Sequence, residues 1–206
     1  MLSDAVTGVL VTTWELRTRT AWFFRRAQAR VEADTNHPMR VIARATSAAP
    51  TYFPPLHLAG STGGDSYALV DGGVFANNPG MAAWVDAHEG ARPNQKVFMV
   101  SLGTGSADDP IKYQTALAWG KILCAQPIIG VVLDGASDTV EHELARLLGA
   151  NDYHRFQLDI PNANRQMDNA SKGNIDALRA LAQGMIASAQ QSLMTSAPAC
   201  CSSRHK

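Results

Sequence analysis

Asp71 is the carboxylate in this sequence placed where a carboxylate can do chemistry. It lies inside Tyr67-Ala-Leu-Val-Asp-Gly-Gly-Val-Phe-Ala-Asn-Asn-Pro79. The apolar, β-prone run Tyr67 to Val70 reads as a strand, and Gly72 and Gly73 let the backbone turn where a Cβ would be strained. The acid therefore falls at the carboxyl end of a strand, where open α/β sheets build their sites. On a glycine turn that admits a ligand closely, it is a candidate general base. Asn77 or Asn78 can cap a following helix and Pro79 suits its first turn. That helix runs through Met81, Ala82, Trp84 and Val85 and stops at Gly90. The Asp-Gly pair is equally a favoured hairpin turn without chemistry, and spacing alone leaves both readings open.

Two further stretches accompany this one: Ala43-Arg-Ala-Thr-Ser-Ala-Ala-Pro-Thr-Tyr-Phe-Pro54 upstream and Ser101-Leu-Gly-Thr-Gly105 downstream. With these three motifs in this order, the chain resembles the patatin-like phospholipase family, from about Leu2 to about Leu193. In that family a serine on a Gly-x-Ser-x-Gly turn attacks an acyl ester, and the aspartate of an Asp-Gly-Gly motif is its base, without a catalytic histidine. The resemblance implies that Asp71 is the dyad aspartate, with Gly72 and Gly73 completing the motif. It implies a lipid acyl hydrolase of the phospholipase A type that acts on phospholipid or other acyl-ester lipids, makes peripheral membrane contact and needs no cofactor. It also sets Thr46 and Ser47 beside the site, although either hydroxyl could equally bond a backbone carbonyl in a packed helix.

The chain departs from the family in one respect that bears on function. It contains no Gly-x-Ser-x-Gly; the nearest string, Gly103-Thr-Gly-Ser-Ala107, has its serine out of place. The family's glycine-rich oxyanion loop is missing as well, and both are expected N-terminal to Met1. Residues 1–195 are thus expected to be the C-terminal part of a patatin-like domain, followed by a polar tail over 196–206. The alternative is a catalytically inactive remnant or lipid-binding module that lacks the nucleophile.

Composition narrows the classes. At 206 residues one domain with a substantial core is expected, and 46% hydrophobic with 17% charged residues describes a globular chain. Zero formal net charge removes the electrostatic case for nucleic-acid binding. Cys124, Cys200 and Cys201 cannot form a disulfide framework, and no Cys/His spacing suits zinc. In His142-Glu-Leu-Ala-Arg146 the second ligand position of a zinc string is an arginine, which cannot ligate. Cysteines without a framework fit a reducing compartment, so a cytoplasmic or peripheral-membrane protein is expected rather than a secreted one. No basic residue precedes the first apolar residues, so the start does not read as a signal peptide, which says nothing of localisation if the true start lies upstream. The apolar run from Ile128 to Leu133 is far short of the roughly 20 residues that span a bilayer.

The elements that must position Asp71 can be read from period and breakers. Val9 to Leu16 and Ala21 to Phe24 predict a hairpin turning over Arg17 to Thr20. Arg25, Arg26 and Arg30 beyond it form a basic group, either a solvated face or a contact for anionic headgroups. A helix is expected over Arg40 to Ala49, a loop over Gly60 to Ser66, and a buried parallel strand over Lys96 to Ser101. Gly103 and Gly105 follow, but Asp108 stands where a nucleotide-binding turn needs a third glycine. Helices are expected from Asp108 or Asp109 to Leu123, from Ile129 to Leu148 with an apolar core face and a stop at Gly149, and from Ser171 to Met194. A strand is expected over His154 to Ile160, ended by Pro161. This alternation predicts an α/β layered domain with a mainly parallel sheet flanked by helices, patatin-like and incomplete at its N-terminus.

Overall fold

Side chains alternate across a strand, so Leu10–Glu15 (β1) sends Val11, Thr13 and Glu15 to one face and Thr12 and Trp14 to the other. The computed structural model describes residues 1–60, 66–92, 95–106, 111–117, 120, 125–160 and 168–196, apart from the side chains of 125–127 and 190–196. Thr20–Arg25 (β2) folds back on β1 as an antiparallel hairpin, turning through Arg19 at φ 56°. Then follow Arg26–Ala29 (α1), Met39–Thr46 (α2), Leu56–Ala59 (β3), Ser66–Asp71 (β4), Gly73–Ala76 (α3) and Gly80–Glu89 (α4). Met99–Leu102 (β5), Tyr113–Leu117 (α5), Ala125–Leu148 (α6), Tyr153–Phe156 (β6) and Lys172–Ser196 (α7) complete the chain. The fold is mixed α/β, as expected.

The chain divides into two units, Met1–Gln95 with Trp119–Leu144, and Lys96–Ala118 with Ala145–Lys206. The first holds a four-stranded sheet in the order β2-β1-β4-β3. Every pairing in it is antiparallel, which corrects the expectation of a mainly parallel sheet. Adjacency in sequence accounts for two of these pairings, since β1–β2 and β3–β4 each fold back as a hairpin. β3 was not expected at all, because Leu56 to Ala59 is too short between Pro55 and Gly60 to show a period. Most of the loop before β4 lies outside the described residues, as do the first turn of the helix expected from Asp108 or Asp109, Cys124, Pro161 and the tail. The core of this unit gathers Leu2, Phe24, Ile42, Ala45, Leu58 and Leu69 between α2 and one face of the sheet.

A fully buried carboxylate fastens the hairpin to β4. Glu15 accepts from the backbone N–H of Arg17 (3.1 Å), Thr18 (2.5 Å) and Ala68 (3.2 Å), and from the Thr18 hydroxyl at 2.6 Å. Burial by itself would raise its pKa, but these four donors prevail and hold it at about 2. Because the folded value lies below the unfolded one, this stabilisation is complete above about pH 4.5 and is lost as the pH falls toward about 2. Glu15→Gln presents one acceptor oxygen and turns an amide donor toward N–H donors. It is expected to cost about 2–4 kcal/mol at pH 7 and to flatten the acid limb of stability, measured by urea unfolding between pH 3 and 7.

In the second unit β5 and β6 pair in parallel, Met99 opposite Tyr153 through Leu102 opposite Phe156, with a further bridge between Ser106 and Asp159. The strand direction is the expected one, but the burial is not. Val100 is 46% and Leu102 72% exposed, because β5 pairs with β6 alone among the described strands. The apolar face expected on α6 is only partly covered: Leu144 is buried and Leu133, Val140 and Leu148 are half-buried, whereas Ile129, Val132 and Leu147 are exposed. Gly149, at φ 72°, ends α6 as its position suggests. No described helix is long and apolar enough to cross a membrane.

Candidate active site

Asp71 is the last residue of β4, half-buried, and opposite Thr13 of β1 in the ladder. Its backbone N–H donates to the carbonyl of Ala48, just beyond the C-terminus of α2, at 3.1 Å. That bond joins the Ala43–Pro54 stretch to the Asp-Gly-Gly turn, two motifs that are well separated in sequence. The Asp71 carboxylate folds back over the turn, where Oδ1 accepts the Gly73 N–H at 2.7 Å. Oδ2 has no hydrogen bond among the described residues. A carboxylate oriented by one oxygen and open at the other can accept a proton from a group brought against it.

The glycines are needed for a different reason from the one expected. Gly72 has φ −65°, a conformation open to any residue, so the turn itself is unstrained. What excludes a side chain is proximity: a Cβ on Gly72 would lie 2.2 Å from the Thr12 carbonyl oxygen and 2.3 Å from its hydroxyl. A Cβ on Gly73 would stand 3.0 Å from Asp71 Oδ1, against the carboxylate itself. α3 begins at this turn and is pinned by Phe75, whose ring meets Trp14 at 5.6 Å and Phe23 edge-on at 5.9 Å.

Asn77 and Asn78 do more than cap. The helix starts one residue later than expected, with Pro79 rather than either asparagine at the N-cap, and Asn78, 4% exposed, accepts the Gly80 N–H at 3.1 Å from one position ahead of it. The amide groups of both residues reach α6, Asn77 Nδ2 to the Leu133 carbonyl at 3.4 Å and Asn78 Nδ2 to that of Ser137 at 3.5 Å. The end of the motif is thereby tied to a helix far along the chain. Asn78→Ala should cost about 1–3 kcal/mol, read as a lowered midpoint in urea unfolding; an unchanged midpoint would mean that these bonds contribute nothing.

Of the other residues singled out in sequence, Thr46 donates its hydroxyl to the Thr12 carbonyl at 2.8 Å, and Ser47 is exposed beyond the end of α2. Thr46 is thus a packing residue rather than a site hydroxyl. Arg25 does not offer its charge freely, since it pairs with Asp86 (3.5 Å) and Glu89 (3.6 Å) of α4 and lies over the Phe23 ring. The Ser101–Gly105 turn belongs to the second unit, where Arg155 donates to Ser101 Oγ at 2.8 Å and Gly105, at φ 105°, takes a conformation suited to glycine. Among the described residues no three His, Cys, Asp or Glu side chains gather as metal ligands. One neighbour of Asp71 escaped the sequence reading: Thr13, fully buried, with a hydroxyl that has no hydrogen-bond partner. Only the β1–β4 register reveals it.

With this geometry in hand, comparison with known proteins gives the chain its relations. A family model described as Patatin-like phospholipase matches residues 5–84, which takes in β1 to β4, α2 and the whole Asp-Gly-Gly stretch. The chain is 29% identical over 164 residues to the probable inactive patatin-like protein 9 of Arabidopsis thaliana, covering 76% of this chain and 43% of that protein. It is 28% identical over 186 residues to patatin-like protein 6 of the same plant, covering 85% and 36%. Patatin-like protein 2 of Oryza sativa subsp. japonica is 28% identical over 208 residues, covering 86% and 51%. The chain therefore spans about half the length, or less, of these relatives. The mixed α/β fold agrees with the architecture expected of patatin-like proteins.

Proposed function

We propose that the complete protein is a lipid acyl hydrolase of the patatin-like family that cleaves acyl esters of phospholipids or similar lipids through a serine-aspartate dyad. Asp71 is the aspartate, on the Asp71-Gly72-Gly73 motif; the serine and the oxyanion-binding glycine loop are supplied from outside residues 1–206. In the first half-reaction Asp71 takes the serine proton as Oγ attacks the acyl carbonyl, and backbone N–H groups hold the oxyanion. Collapse breaks the ester C–O bond, and the departing alcohol recovers the proton from Asp71. Water then attacks the acyl-serine with Asp71 again accepting the proton, the fatty acid leaves, and the serine is restored. The chemistry calls for no cofactor.

The observation that carries this reading is the carboxylate of Asp71 at the end of β4, with Oδ1 held by Gly73 and Oδ2 left to meet a nucleophile. A second reading, a lipid-binding protein without catalysis, is favoured by the relative named as probably inactive and by the lack of Gly-x-Ser-x-Gly in this chain. Incubating the purified complete protein with phosphatidylcholine vesicles separates them. Release of fatty acid supports the hydrolase; co-sedimentation with vesicles and no release supports the binding module; neither release nor binding refutes both.

A further inference from the structure

The outer side of α2 and the turn that follows it carry charge of one sign. Ile42 and Ala45 enter the core, whereas Arg40 and Ala43 are exposed and Arg44 is half-buried. Neither arginine makes an ion pair among the described residues. Arg44 Nη2 donates to the Pro54 carbonyl at 2.8 Å, and the guanidinium lies over the Phe53 ring. No Asp or Glu occurs from Asn36 to Gly60, so this surface is cationic in a chain whose formal net charge is zero.

Beyond α2 the chain turns through Pro50 to Pro55. Thr51 takes φ 76°, a left-handed conformation that strains a β-branched residue and persists only where its surroundings hold it. The Ala49 carbonyl holds this one, accepting the N–H of Tyr52 at 3.1 Å and of Phe53 at 2.9 Å. The two consecutive rings are open to water, Tyr52 at 43% and Phe53 at 56%. Exposed aromatics on a proline-bracketed turn, beside arginines without a counter-ion, have the chemistry of a lipid interface: rings enter at headgroup level and guanidinium groups meet phosphates. The turn also adjoins the candidate base. Ala48 at its head accepts the Asp71 N–H at 3.1 Å, and the pairing of Leu56 with Leu69 brings its far end to Asp71's end of β4. Another exposed apolar stretch, Ile128 to Val132 of α6, runs into Asp134 and Asp138, which an anionic surface would repel.

We infer that Tyr52, Phe53, Arg40 and Arg44 dock the protein on anionic phospholipid bilayers, with the two rings in the headgroup layer and Asp71's end of the sheet toward the lipid. The inference rests on the hydrolase reading for its purpose, but docking itself requires no turnover. Binding of the complete protein is measured by co-sedimentation with vesicles of phosphatidylcholine alone or mixed with phosphatidylglycerol, in an Asp71→Asn background that spares the lipid. Affinity for the mixed vesicles should be at least about ten-fold higher. Arg40→Gln should weaken it about five-fold at about 0.1 M salt and leave it unchanged at about 1 M, where screening removes the attraction. Phe53→Ser should weaken it about ten-fold at both, because apolar burial is not screened. Both variants alter surface side chains and should unfold at the parent's temperature; Tyr52→Ser carries the test if Phe53→Ser does not fold. Affinities equal to the parent's in Arg40→Gln and Phe53→Ser overturn the inference. So does a lowered unfolding midpoint in Phe53→Ser and Tyr52→Ser with vesicle binding unchanged, which would mean that another part of the protein covers the turn. Wild-type protein that docks with these variant effects but releases no fatty acid would sink the hydrolase reading and leave the docking surface standing.

Discussion

Asp71→Asn is expected to lower fatty-acid release by the complete protein about 10²–10⁴-fold, the range that a positioned general base contributes. The substitution is nearly isosteric, and the asparagine oxygen can still accept the Gly73 N–H that now binds Oδ1 at 2.7 Å. The Asp71 backbone N–H keeps its bond to the Ala48 carbonyl as well. The turn should therefore persist and only the proton acceptor be lost. Initial rates on phospholipid vesicles, set beside a thermal unfolding curve, check both halves of the expectation. A variant that retains its rate within a few-fold would show that Asp71 is not the base. A variant that loses its fold together with its rate would make the aspartate structural.

Gly72→Ala is expected to have the largest effect on stability, about 3 kcal/mol or more, as a methyl forced into filled space displaces backbone rather than a flexible side chain. The atom in its way is the Thr12 carbonyl oxygen, 2.2 Å from the new Cβ. That oxygen also accepts the Thr46 hydroxyl at 2.8 Å. One methyl group thus pushes β1 away from the Asp71 turn and disturbs the bond that ties α2 to β1. Urea unfolding should show a clearly lowered midpoint. Unfolding at the wild-type concentration of urea would mean that β1 and the turn are not packed as described. The φ of −65° makes this a steric test alone, with no left-handed backbone to confuse it.

The parts of the fold written in local chemistry were legible in the sequence. The hairpin of β1 and β2 announced itself by two β-branched and aromatic runs around a polar turn, and Pro38 and Pro50 flank α2. Asp71 fell at a strand end as read, and Gly149 stopped a helix. What was not legible depends on contacts distant in sequence. Nothing in Leu10 to Glu15 says that β4 will lie antiparallel beside it, so the sheet direction was misread and Thr13 passed unnoticed as the partner of Asp71. The reach of Asn77 and Asn78 to α6 was hidden in the same way. Gly72 was recognised as necessary, but for its dihedral freedom, whereas it is the approach of Thr12 that demands it. Apolar composition also misled: Val100, Leu102 and one side of α6 carry core-like residues and are exposed.

The central claim is that Asp71 withdraws a proton from a serine in the same protein. A fluorophosphonate ester reacts covalently with such an activated serine, and intact-mass analysis counts the adduct. The account predicts a single adduct per complete wild-type chain, on a serine, formed at least about ten-fold more slowly in Asp71→Asn. An adduct formed equally fast in both proteins, or no adduct in a wild-type protein that binds lipid vesicles, would contradict it.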